Sequence, residues 1–569
     1  MANSKQTQER KKHIWESSYP EGISWDSDLD IRPVAEVFDA IADQFPQNPC
    51  MEFLGKKYTY AQTLKLINSL AKGLQEAGVV KGTKVGLFLP NCPYFILFYH
   101  AIAKIGGTII NYNPLYADRE VHHQIEDSQT EFMVTLDLKA LYDKIYKMLE
   151  TTSLKKMIVC PMSGILPFPK NVMFPLVKSR ELANIHRDER HIPFDKLVRN
   201  DGRFAPIEID PYEDIAVIQY TGGTTGVPKG AALTHANVTA NSHQCRLWFK
   251  HVAIGEEKFL AIIPFFHVFA MTAVMNLGIR VAAEIVMLPR FELITTLKVI
   301  DKKKPTFCCA VPTIYNAIAS HPSVNKYDLT SLNYCISGGA PLPVEVKESF
   351  EGKTGCTLVE GYGLTETTPV TNVNPIEGEN KPGHIGLPIP QTIIEIISLE
   401  DGETPVPLGE RGEVCVRGPQ VMKGYYNKED ETKNSIRNGR FHTGDVGIMD
   451  EDGYVQIVDR IKDVILAGGF NVYPRNVEEA IYLHPSVQEC VVAGIDDTYR
   501  GQTVKAYIKC HDGHSLTFDE LKAFLKDKLS PIEIPKLVDF RDELPKTMIG
   551  KLSRKALLEE EEEKKKSKS

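Results

Sequence analysis

Apolar and polar positions follow two periods in the first part of the chain. Short runs rich in β-branched or aromatic residues fall at Met51–Phe53, Lys57–Thr59, Val85–Leu89, Thr108–Ile110 and Phe132–Thr135, which predicts strands. Between them, apolar residues recur three and four apart. Tyr94, Leu97, Phe98, Ala101, Ile102 and Ile105 make one such face, and Val34–Phe45, Tyr60 to about Ala77, Arg119–Asp127 and Leu138–Glu150 predict further helices. Strand and helix alternating at this spacing predict an α/β layer with a mostly parallel sheet. Later come a strand-like run at Phe259–Phe265, a largely apolar helix and Cys309–Pro312; Tyr334–Ser337 and Leu358–Glu360 then lead into the glycine turns Gly338–Pro341 and Gly361–Gly363, at strand ends, where α/β sheets hold ligands.

Two stretches break this rhythm. Over 161–198, apolar residues are punctuated by Pro167, Pro169 and Pro175 and interleaved with Lys170, Lys178 and Arg180. The preferred expectation is a proline-rich insertion packed on its own domain; the alternative is peripheral contact of 161–182 with an anionic membrane surface. From His384 to Asp459 the texture turns to short strands and many glycines, a small β subdomain. Arg460–Asp463 reads as a boundary, and about a hundred residues of mixed α and β follow as a second domain. Residues 1–30 read as a loosely ordered lead-in, and 559–569 as a charged, solvated tail.

Composition changes this picture little. A chain of 569 residues has room for more than one core. Its 43% apolar and 25% charged residues are ordinary for a globular protein, and a net charge of -8 argues against a nucleic-acid binder. Eleven cysteines without CxxC or Cys/His spacing form neither a zinc site nor a disulfide framework and fit a reducing cytoplasm. The N-terminus lacks the apolar core of a secretory signal, and no run is long enough to span a bilayer.

The chemistry centres on Tyr220–Gly230, YTGGTTGVPKG. Glycines let backbone N–H groups fold around an anion, threonine hydroxyls add donors, and Lys229 adds a positive charge. The spacing G-x-x-x-x-G-K-[ST] is absent, which disfavours a P-loop kinase or ATPase. The string instead resembles the signature loop of the adenylate-forming superfamily. SGGAPLP (Ser337–Pro343), GYGLTET (Gly361–Thr367), HTGDVG (His442–Gly447), VDRIKDVILAGGFNVYPRNVE (Val458–Glu478) and PKTMIGKLSRKAL (Pro545–Leu557) match the family's motifs in its order, over roughly residues 30–558. NYNPLYADRE (Asn111–Glu120) and IPFFHVFAM (Ile263–Met271) are similar to the bacterial long-chain fatty-acyl-CoA synthetase branch.

That resemblance implies a large N-terminal adenylation part over 31–459 (384–459 its β subdomain), a hinge over 460–462 and a mobile α+β C-terminal lid over 463–558. It implies that Thr221, Gly223, Thr224, Thr225 and Lys229 cradle ATP phosphates, that Glu366 holds Mg²⁺ and that Thr365 meets the α-phosphate. Gly339, Ala340 and Pro341 with Gly361, Tyr362 and Gly363 would form the adenine slot, Tyr362 stacking on the base. Asp445 would accept the ribose hydroxyls beside Arg460. Lys551 would touch the acyl carboxylate during adenylation, Lys462 would be the hinge residue, and Gly468 and Gly469 would pass the pantetheine arm of CoA. The familiar serine-glycine pair is here Ala467-Gly468-Gly469. His267 matches a residue between the acyl and thiol entries, without being assigned as the thiol's base. Phe266, Phe269, Met271, Val274, Val311, Gly338 and Val370 are acyl-pocket candidates because they lie beside the ATP motifs.

The implied activity joins a long-chain fatty acid to CoA through acyl-AMP, with loss of pyrophosphate. Its rivals are a medium-chain or aryl acyl-CoA ligase, an acyl-AMP ligase serving a carrier protein, a luciferase-type oxygenase and a non-catalytic regulator. The regulator would be free to lose one of Lys229, Glu366, Asp445, Arg460 or Lys551, and all are present. A homodimer is left open.

Overall fold

The computed structural model describes residues 10–221, 228–467, 470–497, 501–547 and 550–566. In its largest sheet, Pro49–Phe53, Glu284–Met287, Lys258–Ala261, Phe307–Ala310, Tyr334–Ser337 and Leu358–Gly363 lie side by side and parallel. Antiparallel strands close it, Lys56–Thr59 at one edge, and Val370–Val373 with Leu387–Pro388 at the other. A second sheet runs His191–Pro193, Lys156–Cys160, Phe132–Leu136, Lys84–Leu87, Thr108–Asn111 and Ile215–Tyr220 in parallel. Gly230–Thr234 and Gly424–Tyr425 finish it antiparallel. Strands such as Phe132–Leu136 are buried at every position, as they must be when helices cover both faces. The helix Pro93–Lys104 is buried from Pro93 to Ala103 and touches strands of both sheets, so one apolar core joins them.

The glycine-rich stretch from His384 forms an antiparallel sheet of Ile393–Ile397, Gly412–Arg417, Ile436–Arg437, Arg440–Met449 and Val455–Arg460. A fourth sheet holds Ile465–Ala467, Phe470–Val472, Val487–Asp497, Gly501–Cys510 and Leu537–Phe540, with its own core around Val472, Val477, Ile481 and Leu525.

Several expectations change. The lead-in is not loose within its described part. Trp15 is buried and stacked on His13 with centroids 4.5 Å apart, and Trp25 Nε1 donates to the Thr392 carbonyl at 2.8 Å. The charged tail is solvated only in part. It continues the helix Arg554–Lys566, with Glu559, Glu562, Glu563 and Lys564 exposed, while Glu561 pairs with Lys505 at 3.0 Å and Glu560 with Arg541 at 2.7 Å. The insertion is divided: Met162, Ile165 and Leu166 pack into the core, but the helix Lys170–Val177 buries none of its residues. Gly361, Tyr362 and Gly363 belong to the strand Leu358–Gly363 rather than to a turn after it. All eleven cysteines are free and ten are buried, Cys510 being partly exposed.

Candidate active site

The phosphate-type stretch is flanked by two paired strands. Ile215–Tyr220 and Gly230–Thr234 pair antiparallel as far as Tyr220 and Gly230, and the Thr221 N–H donates to the Lys229 carbonyl at 2.9 Å. The strand after the loop is therefore its return arm, ending in the helix His235–Trp248, capped by Thr234 and Asn237. Gly223, Thr224 and Thr225 lie outside the described residues, as do Gly468 and Gly469. Lys229 is described. Its Nζ lies 2.5 Å from Glu431 Oε2 and 5.0 Å above the Tyr425 ring.

Tyr425 connects this cation to the next predicted residue, because its hydroxyl donates to Glu366 Oε1 at 2.7 Å. Glu366 and Thr365 sit on the 3-10 turn Thr365–Thr367 directly after Leu358–Gly363. The chain doubles back so tightly there that a Cβ on Gly363 would lie 1.9 Å from the Pro369 carbonyl oxygen; only glycine fits. One face of this turn is fixed by the Met422 N–H donating to the Glu366 carbonyl at 2.8 Å.

Tyr362, three residues before that turn, donates its hydroxyl to Asp445 Oδ2. Asp445 sits inside the strand Arg440–Met449 rather than in a turn, directly opposite Arg460 in the register. Its Oδ1 lies 3.0 Å from Arg460 Nε. Asp445 is buried, whereas the Arg460 side chain is 43% exposed, so the carboxylate is oriented by two donors at the rim of the cleft. Asp445 and Glu366 both raise the Arg460 pKa, Asp445 being the larger cause. The Glu366 and Asp445 clusters thus share one electrostatic neighbourhood.

Lys551 enters from the C-terminal part, after the last strand of its sheet, Leu537–Phe540. The Gly550 carbonyl accepts from Thr313 Oγ1 at 2.6 Å, pinning the lysine's turn to the helix Pro312–Ala319. Desolvation pushes Lys551 down to about 8, with Arg460 repelling and Asp445 partly offsetting. His267 feels Lys551 too, and desolvation pushes the imidazole down to about 4. It is then neutral and a very weak base. Its Nδ1 accepts from the Phe269 N–H at 3.3 Å. Lys462, on the 3-10 turn Ile461–Asp463, is exposed and contributes to holding Glu431 below the usual carboxylate range, after the larger effect of Lys229.

The slot residues Gly339, Ala340 and Pro341 follow the strand Tyr334–Ser337, with Gly339 at φ +78°. Gly338 is tight against Phe269, whose Cζ would lie 3.0 Å from an added Cβ. Val311 Cγ2 would meet a Cβ on Gly550 at 3.3 Å. Val311 therefore borders the turn that carries Lys551, while Gly338 packs against Phe269. Met271 and Val274 lie in a π-helical turn, Met271–Asn276, fully enclosed, and such turns are frequent at functional sites. The Phe266 carbonyl accepts from Gln219 Nε2 at 2.8 Å and that of Val370 from Asn241 Nδ2 at 2.8 Å.

Sequence reasoning missed Tyr425, Glu431 and Thr313. Glu431 lies in an acidic run, Glu429–Glu431, that any charge-pattern argument assigns to solvent. Among the described residues one cluster has metal-like composition, Glu413, Cys415 and His442. Arg437 Nη2 stands 2.7 Å from His442 Nδ1 and 3.7 Å from Glu413 Oε2, so a guanidinium fills the cationic role.

The family model of the AMP-binding enzyme matches residues 38–426, and that of the AMP-binding enzyme C-terminal domain matches 476–551. The chain is 45% identical over 558 residues to a long-chain-fatty-acid–CoA ligase of Bacillus subtilis, covering 96% of this chain and 98% of that one. Among solved structures, ATP-bound MatB from Rhodopseudomonas palustris superposes with a TM-score of 0.82 at 27% identity, covering 92% of this chain and 98% of that one. The apo form of the same protein gives 0.73 at 28% identity over the same shares.

Proposed function

Because the chain belongs to the AMP-binding enzyme family, we propose that it is an ATP-dependent long-chain-fatty-acid–CoA ligase that works through an acyl-adenylate. A fatty acid, ATP and CoA enter; acyl-CoA, AMP and pyrophosphate leave. The observation that carries the reading is convergence: Lys229, Tyr425 and Glu366 lie in one contact chain, and Arg460 feels both Glu366 and Asp445 while acting on Lys551.

The first half-reaction brings a carboxylate to the α-phosphate of ATP, two anions that repel. Catalysis there is charge neutralisation and positioning. Lys229 would exchange Glu431 for phosphate oxygens, Asp445 would accept the ribose hydroxyls, and the Lys551 ammonium would sit between acyl carboxylate and α-phosphate. The donor chemistry fits Mg²⁺, since Glu366 offers a hard carboxylate oxygen oriented by Tyr425. When bound, Mg²⁺ would neutralise phosphate charge.

The second half-reaction needs Lys551 withdrawn and a thiol path opened. We assign that change to rotation of 463–558 about 460–462, with Gly468 and Gly469 lining the path. Supporting this, the arrangement here is more like the ATP-bound than the apo form of MatB. His267, pushed to about 4, is unsuited to take the thiol proton and is read as a wall residue. The reading extends to peripheral contact with a membrane, in which a long-chain acid dissolves; no helix among the described residues is long and apolar enough to cross one.

Pyrophosphate release against a panel of fatty acids of increasing length and of aryl acids, with and without CoA, tests the assignment. Release should rise with chain length and thioester should form only with CoA. Preference for a coumarate-type acid, or adenylate that never becomes thioester, would overturn it.

A further inference from the structure

Between Cys160 and His191 the chain leaves the second sheet near its edge. The helix Lys170–Val177 carries Val172, Met173, Leu176 and Val177, exposed by 57, 52, 76 and 69%. Spaced i, i+1, i+4 and i+5, they fall on one stripe of the helix. Phe174 points the other way and packs against the core. Phe168, just before the helix, is 83% exposed. This is a helix turned inside out, with its apolar stripe toward water. A contiguous exposed patch of this kind marks an interaction site.

Charge says which partner it suits. From 168 to 182 the segment has basic Lys170, Lys178 and Arg180, all exposed, and one acid, Glu181, tied to Lys178 at 2.6 Å. The chain as a whole carries -8, so this is a local reversal of sign around an apolar stripe. A second copy docking by a two-fold contact would set these cations against themselves. An eight-residue helix is about 12 Å long, far too short to span a bilayer, but suited to lying in its interface.

We propose that the stripe of Phe168, Val172, Met173, Leu176 and Val177 docks the enzyme on a bilayer containing anionic lipid. The helix lies flat, its stripe reaching below the headgroups and its cations among them. The proposal deepens the peripheral contact named above and stands on the exposed face, independently of the reaction assigned to the cleft.

The test is sedimentation of the full-length protein with large unilamellar vesicles of phosphatidylcholine, alone or with phosphatidylglycerol. Wild type should partition at least tenfold more strongly onto the anionic vesicles, less so as salt rises. L176E/V177E should lose at least tenfold on both vesicle types. K178E/R180E should lose only the anionic preference. None of these residues lies in the cleft, so pyrophosphate release with a dissolved short acid should match wild type in both variants. That readout separates failure of docking from failure of the reaction assignment. Equal partition of wild type and L176E/V177E overturns the proposal, as does partition indifferent to phosphatidylglycerol. So does a soluble dimer, seen by light scattering, that L176E/V177E dissolves without changing vesicle binding; the face would then belong to a second copy.

Discussion

Replacing Asp445 with asparagine tests the nucleotide site at its best-defined point. The carboxylate is buried and held by Tyr362 and by Arg460 Nε at 3.0 Å. Asp445→Asn keeps shape and one acceptor but removes the charge. A hydrogen bond to a charged group contributes about 1.5–3 kcal/mol. If the carboxylate takes both ribose hydroxyls, the variant forfeits roughly 2–3 kcal/mol of transition-state binding, about 30- to 160-fold in kcat/KM for ATP. The structural penalty is small, about 1 kcal/mol, because the Arg460 side chain is 43% exposed and water takes up its charge. Thermal unfolding should therefore change little. The decisive assay is fatty-acid-dependent pyrophosphate exchange with ATP, 2′-deoxy-ATP and 3′-deoxy-ATP. Wild type should lose heavily on the deoxy nucleotides, and D445N should lose little more, since the partner is already gone. A variant that penalises the deoxy nucleotides as strongly as wild type does would refute the ribose assignment.

The remaining predictions concern charge, the swing of the C-terminal part and stability. Lys551→Ala should abolish acyl-AMP formation while supplied acyl-AMP still becomes acyl-CoA; equal loss of both steps would sink the two-arrangement account. With Lys551 lowered to about 8 in the free enzyme, its positive charge is present below that pH and lost above it. Adenylation kcat/KM should accordingly fall as pH rises through about 8, and K551R should move that limb upward. Glu431→Ala frees Lys229 from a pair with side chains 35% and 47% exposed, worth about 0–1 kcal/mol. The KM for ATP should fall by up to about fivefold, and a rise would mean Glu431 assists binding. Leu557→Ala empties a site buried with Val491, Tyr507 and Leu544 and should destabilise the C-terminal sheet by about 2–5 kcal/mol in urea unfolding.

Elements such as Phe132–Leu136 and Lys139–Thr151 were legible because the first is a short apolar run and the second buries one face through Tyr142, Ile145, Met148 and Leu149. Which strands meet was not. Pro49–Phe53 pairs with Glu284–Met287, and Thr108–Asn111 with Ile215–Tyr220; nothing in a local period encodes a partner so distant in sequence. Aspartate in a Thr-Gly-Asp string suggests a turn, yet Asp445 lies mid-strand because Gly444, at φ +73°, bends within the strand itself. The tail illustrates the converse. Two of its glutamates, Glu560 and Glu561, looked like solvent charges until Arg541 and Lys505 arrived from other elements to meet them. For the insertion, composition offered either burial or a surface role, and only the position of the helix relative to the core separated them.

The distribution of sulfur has a practical consequence. Burial pushes the Cys50, Cys92 and Cys245 thiols up to about 12, so the native chain holds almost no reactive thiolate there. Cys510, partly exposed at the end of its strand, is the one sulfur a maleimide should reach readily. Labelling stoichiometry would then register each molecule's passage through an open state, a clock of unfolding written into the chain without any added probe.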